Sequence, residues 1–464
     1  MTDGTPGDRI ELSVPLAVHV VGIGGAGMSA IATVLSAMGH TVSGSDLKAS
    51  PVTDRLERSG IAVAIGHQAG NLVAPDVVTV SSAVAGTNPE VVEARRRGLP
   101  VRTRAETLAS IAALRRCIAV AGTHGKTTTA SMLALQLVEA GLRPSFLIGG
   151  DVNEIGTNAV WDEGEWLVVE ADESDGTFLS LVPDIAVVTN VEADHLDHYG
   201  TFEAVRAAFE AFLATATLRR VVGGDDPVAS AIGTRTGADT VGTGPSCTRR
   251  MVGLEPARSS IAFDLMGDDG AALGHLAVPV PGLHNARNAA VATVAGLAAG
   301  VPFDAAARAL ARFAGVARRF EFRGRAHDVT FVDDYAHLPT EVAAALAAAA
   351  DGGWDRVVAV FQPHRYSRTE ALWEEFGSAF ADADVVVVTD VYGAGEAPVP
   401  GVSGRLVADA VRRTSPDKDV RYVAGRSELR DVLEGLLRPG DLCCTLGAGD
   451  LTSLPDELLD DPGW

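Results

Sequence analysis

The 464-residue chain is 47% hydrophobic and 21% charged, with a formal net charge of −22. It has the apolar content to bury substantial cores, and its acidity excludes the clustered Lys and Arg surface that neutralises nucleic-acid phosphates. At about 150 residues per domain the length implies roughly three domains. No apolar run approaches the ~18 residues of a membrane span, and the opening MTDGTPGDRIELSVPL lacks a basic segment followed by an apolar one, so no membrane association and a cytoplasmic location are expected.

In chain order, LAVHVVGIGGAGMSAIATVLSAMGHTVSGSD reads as a strand, a glycine turn, a helix ending at Gly39 and a second strand ending at Asp46. GIGGAG places Gly22, Gly24 and Gly27 in the G-x-G-x-x-G pattern, with Asp46 after the next strand. Three readings stand side by side: NAD, another diphosphate such as a nucleotide sugar, and a purely structural glycine turn. Glycines admit close backbone approach and a helix N-terminus attracts any pyrophosphate. DVVTVSSAV is a further strand ending in small polar residues, and a break near ASIAALRR leads to a second strand, turn and helix in RCIAVAGTHGKTTTASMLALQLVEAG.

AGTHGKTTTA resembles a phosphate loop, but G-x-x-x-x-G-K-[ST] needs a glycine where Val120 stands. The parts of such a loop are nonetheless present. Gly122 and Gly125 bracket Thr123 and His124, Lys126 can reach a β- or γ-phosphate, and Thr127 offers a hydroxyl to Mg²⁺. Lysine is scarce, with only Lys48, Lys126 and Lys418, so its use in this loop is notable. WLVVEADESDGTFL then ends a strand in Glu170, Asp172, Glu173 and Asp175, and IAVVTNVEADHLDHYG ends another in Asn190, Glu192, Asp194, His195, Asp197 and His198. Two strand ends thus carry the oxygen-rich residues that magnesium requires.

Residues 240–280, with SIAFDL and HLAVPV, suggest a small antiparallel addition. A third domain is expected from near GVARRFE, with strands in VTFVDDY, RVVAVFQ, DVVVVTDVY and LCCTLGAG. Strands alternating with alanine-rich helices make the class α/β with parallel sheets. Cys117, Cys247, Cys443 and Cys444 have no C-x-x-C spacing, and the last two fit a buried strand.

Taken together, HVVGIGGAGMSAIA, GTHGKTTT, EADESDGTFL, NVEADHLDHY, PGLHNARNAA, GVARRFE, DDYAHLPTE, FQPHRYSRT, DVYGAGE and LGAGD, in that order, resemble the Mur ligases, ATP-dependent amide-forming enzymes of peptidoglycan precursor synthesis. The shortened loop is that family's form. The resemblance covers nearly the whole chain and removes the NAD reading.

It implies three domains: a Rossmann-like UDP-binding domain (1–112), a central ATP-binding domain with a mostly parallel, P-loop-type sheet (113–315), and a Rossmann-like, amino-acid-binding C-terminal domain (316–464). The implied ligands are ATP, Mg²⁺, UDP-N-acetylmuramate and L-alanine, in a monomer or weakly associating homodimer. Gly24, Gly25, Gly27, Ser45, Asp46, His67, Ser81, Ser82, Ala83 and His124 would contact the UDP substrate. Gly122, Thr123, Gly125, Lys126, Thr127, Thr128, Asn285, Asn288, Arg319 and Asp334 would bind ATP, with Arg319 on the γ-phosphate and Asp334 reaching across a domain boundary. Thr127 and Glu170 would hold one metal ion and His195 a second. Tyr335, His337, Arg365 and Arg368 would serve the amino acid, with Lys126, His195, Arg319 and His337 as the catalytic set. One position departs from the family pattern: DDYAHHP is usual, whereas here His337 is followed by Leu338.

Overall fold

The computed structural model describes residues 10–460, apart from the side chain of Asp197. Part of the opening segment, residues 1–9, lies outside that range. By internal contacts the described chain forms two compact units. One runs through Val252 and includes Asp264–Leu276 and Arg287–Arg312; the other comprises Gly253–Phe263, Ala277–Ala286 and the chain from Phe313 onward.

The first sheet contains β1 (Ala17–Val21), β2 (Thr41–Asp46), β3 (Ala62–Ile65), β4 (Val77–Val80) and β5 (Val101–Thr103), interleaved with α1 (Ala26–Ala37), α2 (Pro51–Arg58), α3 (Pro89–Arg96) and α4 (Arg104–Ala112). Its order is β3-β2-β1-β4-β5, all parallel. The order reverses beside β1, so the ends of β1 and β4 form the crevice where such sheets bind ligands. The helix α3 starts where Asn88 accepts from the backbone N–H of Glu90 (2.9 Å), with Pro89 at the first helical position. Within ASIAALRR, α4 ends at Ala112 and β6 begins at Arg116.

The central sheet is built on β6 (Arg116–Ala121), followed by α5 (Lys126–Glu139), β7 (Ser145–Val152), β8 (Thr157–Val160), β9 (Trp166–Glu170), β10 (Ile185–Val188), α6 (Leu196–Tyr199), α7 (Phe202–Ala214), β11 (Arg219–Gly223), α8 (Pro227–Thr236), β12 (Asp239–Gly242) and β13 (Arg249–Ala257). The inner strands run parallel: β10 pairs with both β6 and β11, β6 with β9, and β9 with β7. Because helices cover both faces, their side chains are buried and read as continuous apolar runs; Ile118, Val120, Val168, Val187 and Val188 are fully buried. The strand β8 closes one edge antiparallel to β7. At the other end the order is β15-β14-β13-β12, with β14 (Ser260–Met266) and β15 (Ala272–Val278). SIAFDL and HLAVPV, read as a small antiparallel addition, lie in strands that extend the central sheet. The helices α9 (Leu283–Ala298) and α10 (Phe303–Ala311) follow.

The third sheet has β16 (Glu321–Ala326), β17 (Val329–Asp334), β18 (Arg356–Phe361), β19 (Val385–Val388), β20 (Asp419–Tyr422) and β21 (Asp441–Leu446), with α11 (Pro339–Ala350) and α12 (Tyr366–Leu372) among its helices. Its order is β16-β17-β21-β18-β19-β20, parallel except for the β16 edge. Cys443 and Cys444 are buried in β21. No helix among the described residues is long and apolar enough to cross a membrane.

Candidate active site

The shortened loop joins β6 to α5, and its two glycines are dictated by close neighbours. Gly122 has φ +136°, and a Cβ there would lie 2.0 Å from Thr189 Oγ1. Gly125 has φ +78°, and its Cβ would lie 2.5 Å from Asn288 Oδ1. The segment after β10 clamps this loop. The Thr123 N–H donates to the Asn190 carbonyl (3.1 Å), the His124 N–H to Asn190 Oδ1 (2.8 Å), and Asn190 Nδ2 to the His124 carbonyl (3.0 Å). The Glu192 N–H donates to Thr123 Oγ1 (2.9 Å), and Glu192 Oε2 lies 3.1 Å from His124 Nε2. Asn190 and Glu192, which looked like metal-type residues in sequence, therefore brace the loop. His124 is held as part of that brace.

At the start of α5, Lys126 Nζ donates to the carbonyls of Gly122 (2.6 Å) and Thr123 (3.3 Å) and to Glu173 Oε1 (2.8 Å). Thr127 Oγ1 donates to Glu170 Oε1 (3.1 Å), and the other Glu170 oxygen accepts from the Gly149 N–H (2.7 Å). His195, in the left-handed region at φ +54°, precedes α6 with Nε2 3.8 Å from Glu173 Oε1 and 3.4 Å from Asp194 Oδ2. The structure thus pairs Thr127 with Glu170, and places Lys126 and His195 around Glu173. Thr128 lies buried in the first turn of α5. The hydroxyl–carboxylate pair is a hard oxygen donor set of the kind that suits Mg²⁺, an ion that keeps several of its own waters. Among the described residues no group of three or more His, Cys, Asp or Glu side chains gathers as a metal cage.

Asn285 and Asn288 lie in the first turns of α9. Asn285 Nδ2 donates to the Pro281 carbonyl (2.7 Å), while Asn288 faces Gly125. Arg104 was not singled out in sequence. Its guanidinium lies 3.3 Å from Asp172 and 3.5 Å from Asp175, and a Cβ on Gly27 would come within 3.1 Å of it. Arg104 therefore connects the first glycine loop to the acidic segment after β9.

In that first loop, Gly22 has φ +81°, and the N–H groups of Gly22 (2.8 Å) and Ile23 (3.0 Å) donate to the Ser45 carbonyl. The Gly24 N–H donates to Asp46 Oδ2 (2.8 Å). Asp46 thus caps the glycine loop. Gly25 is exposed just before α1. The Ser45 side chain is fully buried and 2.9 Å from His67 Nδ1. Ser81, Ser82 and Ala83 form the turn after β4, where the Ala83 N–H donates to Ser81 Oγ (3.3 Å).

The second unit holds the remaining predicted residues. Asp334 is 7% exposed; Oδ2 accepts from the Phe320 N–H (2.8 Å) and Oδ1 from the Ala336 N–H (2.7 Å), and burial pushes its carboxyl up to about 6. The Arg319 guanidinium lies 5.2 Å from the Tyr335 ring centroid and 3.8 Å from Glu341. His337 Nδ1 donates to the Tyr335 carbonyl (3.0 Å) and lies 3.2 Å from Glu341 Oε2, which leaves Nε2 as the basic nitrogen. Burial lowers the His337 pKa, with Glu341 opposing. The His337 and His364 rings lie 5.8 Å apart, and Arg368 donates to His364 Nδ1 (3.1 Å). His364 is a further residue of this cluster that the motif reading passed over. Arg365 takes φ +69° at the start of α12, where its N–H donates to the Tyr392 carbonyl (2.8 Å). Leu338, at the departing position, is 5% exposed, so its side chain lies in the interior.

A glycine loop at the end of the first strand of a parallel sheet, and a second loop presenting lysine and threonine at a helix start, are features of α/β proteins that bind phosphorylated ligands. Family models match three consecutive regions: the Mur ligase family catalytic domain at residues 17–116, the Mur ligase middle domain at 120–296, and the Mur ligase glutamate ligase domain at 318–449. The chain is 46% identical to the UDP-N-acetylmuramate--L-alanine ligase of Anaeromyxobacter sp. (strain Fw109-5), over 96% of this chain and 98% of that protein. It is also 46% identical to the enzyme of the same name from Rubrobacter xylanophilus, over 95% and 99%. The crystal structure of UDP-N-acetylmuramate-alanine ligase from Thermotoga maritima superposes with a TM-score of 0.82 at 29% identity, covering 96% of this chain and 98% of that one. The chain belongs to the Mur ligase family, with that family's three-domain α/β architecture.

Proposed function

We propose that this chain joins L-alanine to the lactyl carboxylate of UDP-N-acetylmuramate, giving UDP-N-acetylmuramoyl-L-alanine, ADP and phosphate in peptidoglycan precursor synthesis. The observation that carries the reading is the clamped Gly122–Gly125 loop, with Lys126 and the Thr127–Glu170 pair at its end. The names and near-complete coverage of its relatives support the choice of substrates.

In this reaction a lactyl carboxylate oxygen attacks the γ-phosphorus of ATP, the bond to ADP breaks, and an acyl phosphate forms. The alanine amine then attacks the carbonyl and phosphate leaves with that oxygen. Attacking carboxylate and phosphate are both anionic, so charge neutralisation is the main demand. Lys126 and Arg319 supply cations for it. Thr127 and Glu170 would hold magnesium, and His195 a second ion; when bound, the metal neutralises phosphate charge. Gly122, Thr123, Gly125, Thr128, Asn285, Asn288 and Asp334 are assigned to the nucleotide. Tyr335, Arg365 and Arg368 are assigned to the amino acid, whose carboxylate an arginine grips in bidentate fashion. His337, with its proton on Nδ1, accepts the ammonium proton of alanine at Nε2. Gly24, Gly25, Gly27, Ser45, Asp46, His67, the Ser81–Ala83 turn and His124 are assigned to the UDP moiety. The reading places the enzyme in the cytoplasm, as a monomer or weakly associating homodimer.

Lys126→Ala tests the loop assignment. With UDP-N-acetylmuramate, L-alanine and Mg·ATP present, ADP release should be lost; wild-type turnover in that variant would remove the assignment.

A further inference from the structure

Behind the first glycine loop lies a buried polar cluster that the reaction itself does not use. Glu90, the second residue of α3, is 0% exposed. Its Oε1 accepts from the Gln68 N–H (3.0 Å) and Asn71 Nδ2 (2.5 Å), and its Oε2 from Ser45 Oγ (2.6 Å) and His19 Nε2 (3.3 Å). The Asn71 amide is oriented by a second bond, from Nδ2 to the Gly66 carbonyl (2.9 Å). Burial alone would favour the neutral acid, but the bonds from His19, Ser45, Asn71 and Gln68 outweigh it and bring the carboxyl down to about 2. Its place in the first turn of α3 also favours the negative charge.

An ionised carboxylate can only accept hydrogen bonds. The Ser45 hydroxyl, which has one proton, therefore gives it to Glu90. Ser45 Oγ also lies 2.9 Å from His67 Nδ1, where it can now only accept, so the proton of that bond must sit on Nδ1. Glu90 Oε1, 3.8 Å from the same nitrogen, favours the same placement. In the neutral ring Nε2 is then left with its lone pair, and it makes no hydrogen bond among the described residues. Ser45 and Glu90 are fully enclosed, whereas the His67 side chain retains 11% exposure.

We infer that Glu90 and Ser45 fix His67 as its Nδ1–H tautomer, so that Nε2 meets the ligand strictly as a hydrogen-bond acceptor and selects a base that carries a ring N–H donor. Uracil has that donor at N3; cytosine has a lone pair there. Glu90 is then a positioning residue for base recognition, acting through Ser45 and His67 without touching the ligand. The inference rests on the assignment of His67 to the UDP moiety. A cytosine ring would set two lone pairs against each other and leave both unsatisfied.

Calorimetric titration of the full chain with UDP and with CDP tests this. The wild type should bind UDP at least about tenfold more tightly, the cost of one unmade hydrogen bond. Ser45→Ala leaves Nδ1 without its acceptor. Glu90→Gln offers Ser45 an amide donor and lets its hydroxyl turn to Nδ1. Both should bring the UDP/CDP ratio towards one. An unchanged ratio in folded Ser45→Ala and Glu90→Gln, with the preference lost in His67→Ala, would overturn the tautomer control while keeping His67 at the base. His67→Ala with wild-type affinities for both nucleotides would instead remove the assignment of His67, and the base selection with it. Nitrogen-15 NMR of histidine-labelled wild type decides the proton placement independently of any variant's folding: Nδ1 should be protonated and Nε2 imine-like, and the reverse pattern would overturn the inference.

Discussion

The Lys126 ammonium lies 2.8 Å from Glu173 Oε1, so the cation that the proposed function offers to a phosphate is already held by a carboxylate that is only 3% exposed. The second oxygen, Oε2, is buried without a hydrogen-bond partner. Burial pushes the Glu173 carboxyl up to about 7 against the pull of Lys126. Burial also disfavours the Lys126 charge, but Glu173, Asp172 and Glu170 outweigh it and hold the ammonium protonated. In the proposed function an arriving phosphate therefore competes with Glu173 for Lys126. Glu173→Gln should tighten ATP binding several-fold, measured by titration. It should also destabilise the nucleotide-free protein by about 2 kcal/mol in thermal unfolding, because a buried cation loses its partner. Weaker ATP binding would show that Glu173 supports the phosphate site instead of competing for its lysine.

Gly122→Ala should be among the most damaging single-methyl additions to the loop. A Cβ would meet Thr189 Oγ1 at 2.0 Å, in a backbone conformation that L side chains rarely adopt. A loss of at least about 2 kcal/mol in denaturant unfolding is expected, together with a sharp fall in ATP affinity. Gly25→Ala is the control within the first loop. Its Cβ would meet only the Gly22 carbonyl, at 3.6 Å, so unfolding stability should stay within about 0.5 kcal/mol of wild type.

These contrasts show what the sequence could and could not reveal. A phosphate-type loop was legible in GTHGKT because an apolar strand, two glycines and a helix flank it, and Glu170 was legible as a carboxylate ending a strand. The task of Asn190 and Glu192 was not, because bracing a loop and binding a metal call for the same polar residues at the same strand end. Arg104 and Glu90 were hidden for another reason. In VRTRAETL and PEVVEARRR each is one charge among several, and only the tertiary fold brings Arg104 to the acidic segment and buries Glu90 completely. The strands of residues 240–280 were readable as a small addition, but not the edge of the central sheet they join, since alternating strands do not state it.

Acid stability should report Glu90. Its carboxyl falls from 4.5 to about 2 on folding, so its contribution is present above pH 4.5 and is lost as pH falls towards 2. Full loss corresponds to about 3 kcal/mol. Between pH 5 and 2, wild type should lose stability more steeply than Glu90→Gln, by up to that amount, in denaturant titrations at each pH. Parallel curves would mean that Glu90 is not ionised in the folded protein.

The pH dependence of turnover should report His337. Burial lowers its pKa from 6.5, so the basic Nε2 form persists through neutral pH, and the acid limb of kcat/KM should have its midpoint below 6.5. His337→Asn should remove that limb and lower kcat about 100-fold. A variant retaining both the limb and the rate would assign the proton transfer elsewhere.

The central claim is that the lactyl carboxylate is activated by direct attack on ATP. It is tested most directly with UDP-N-acetylmuramate carrying oxygen-18 in that carboxylate, incubated with Mg·ATP and L-alanine, by mass analysis of the released phosphate. Transfer of one labelled oxygen to each phosphate, matched one-to-one by UDP-N-acetylmuramoyl-L-alanine, is the predicted result. Unlabelled phosphate, or phosphate release that does not depend on the UDP substrate, would contradict the account.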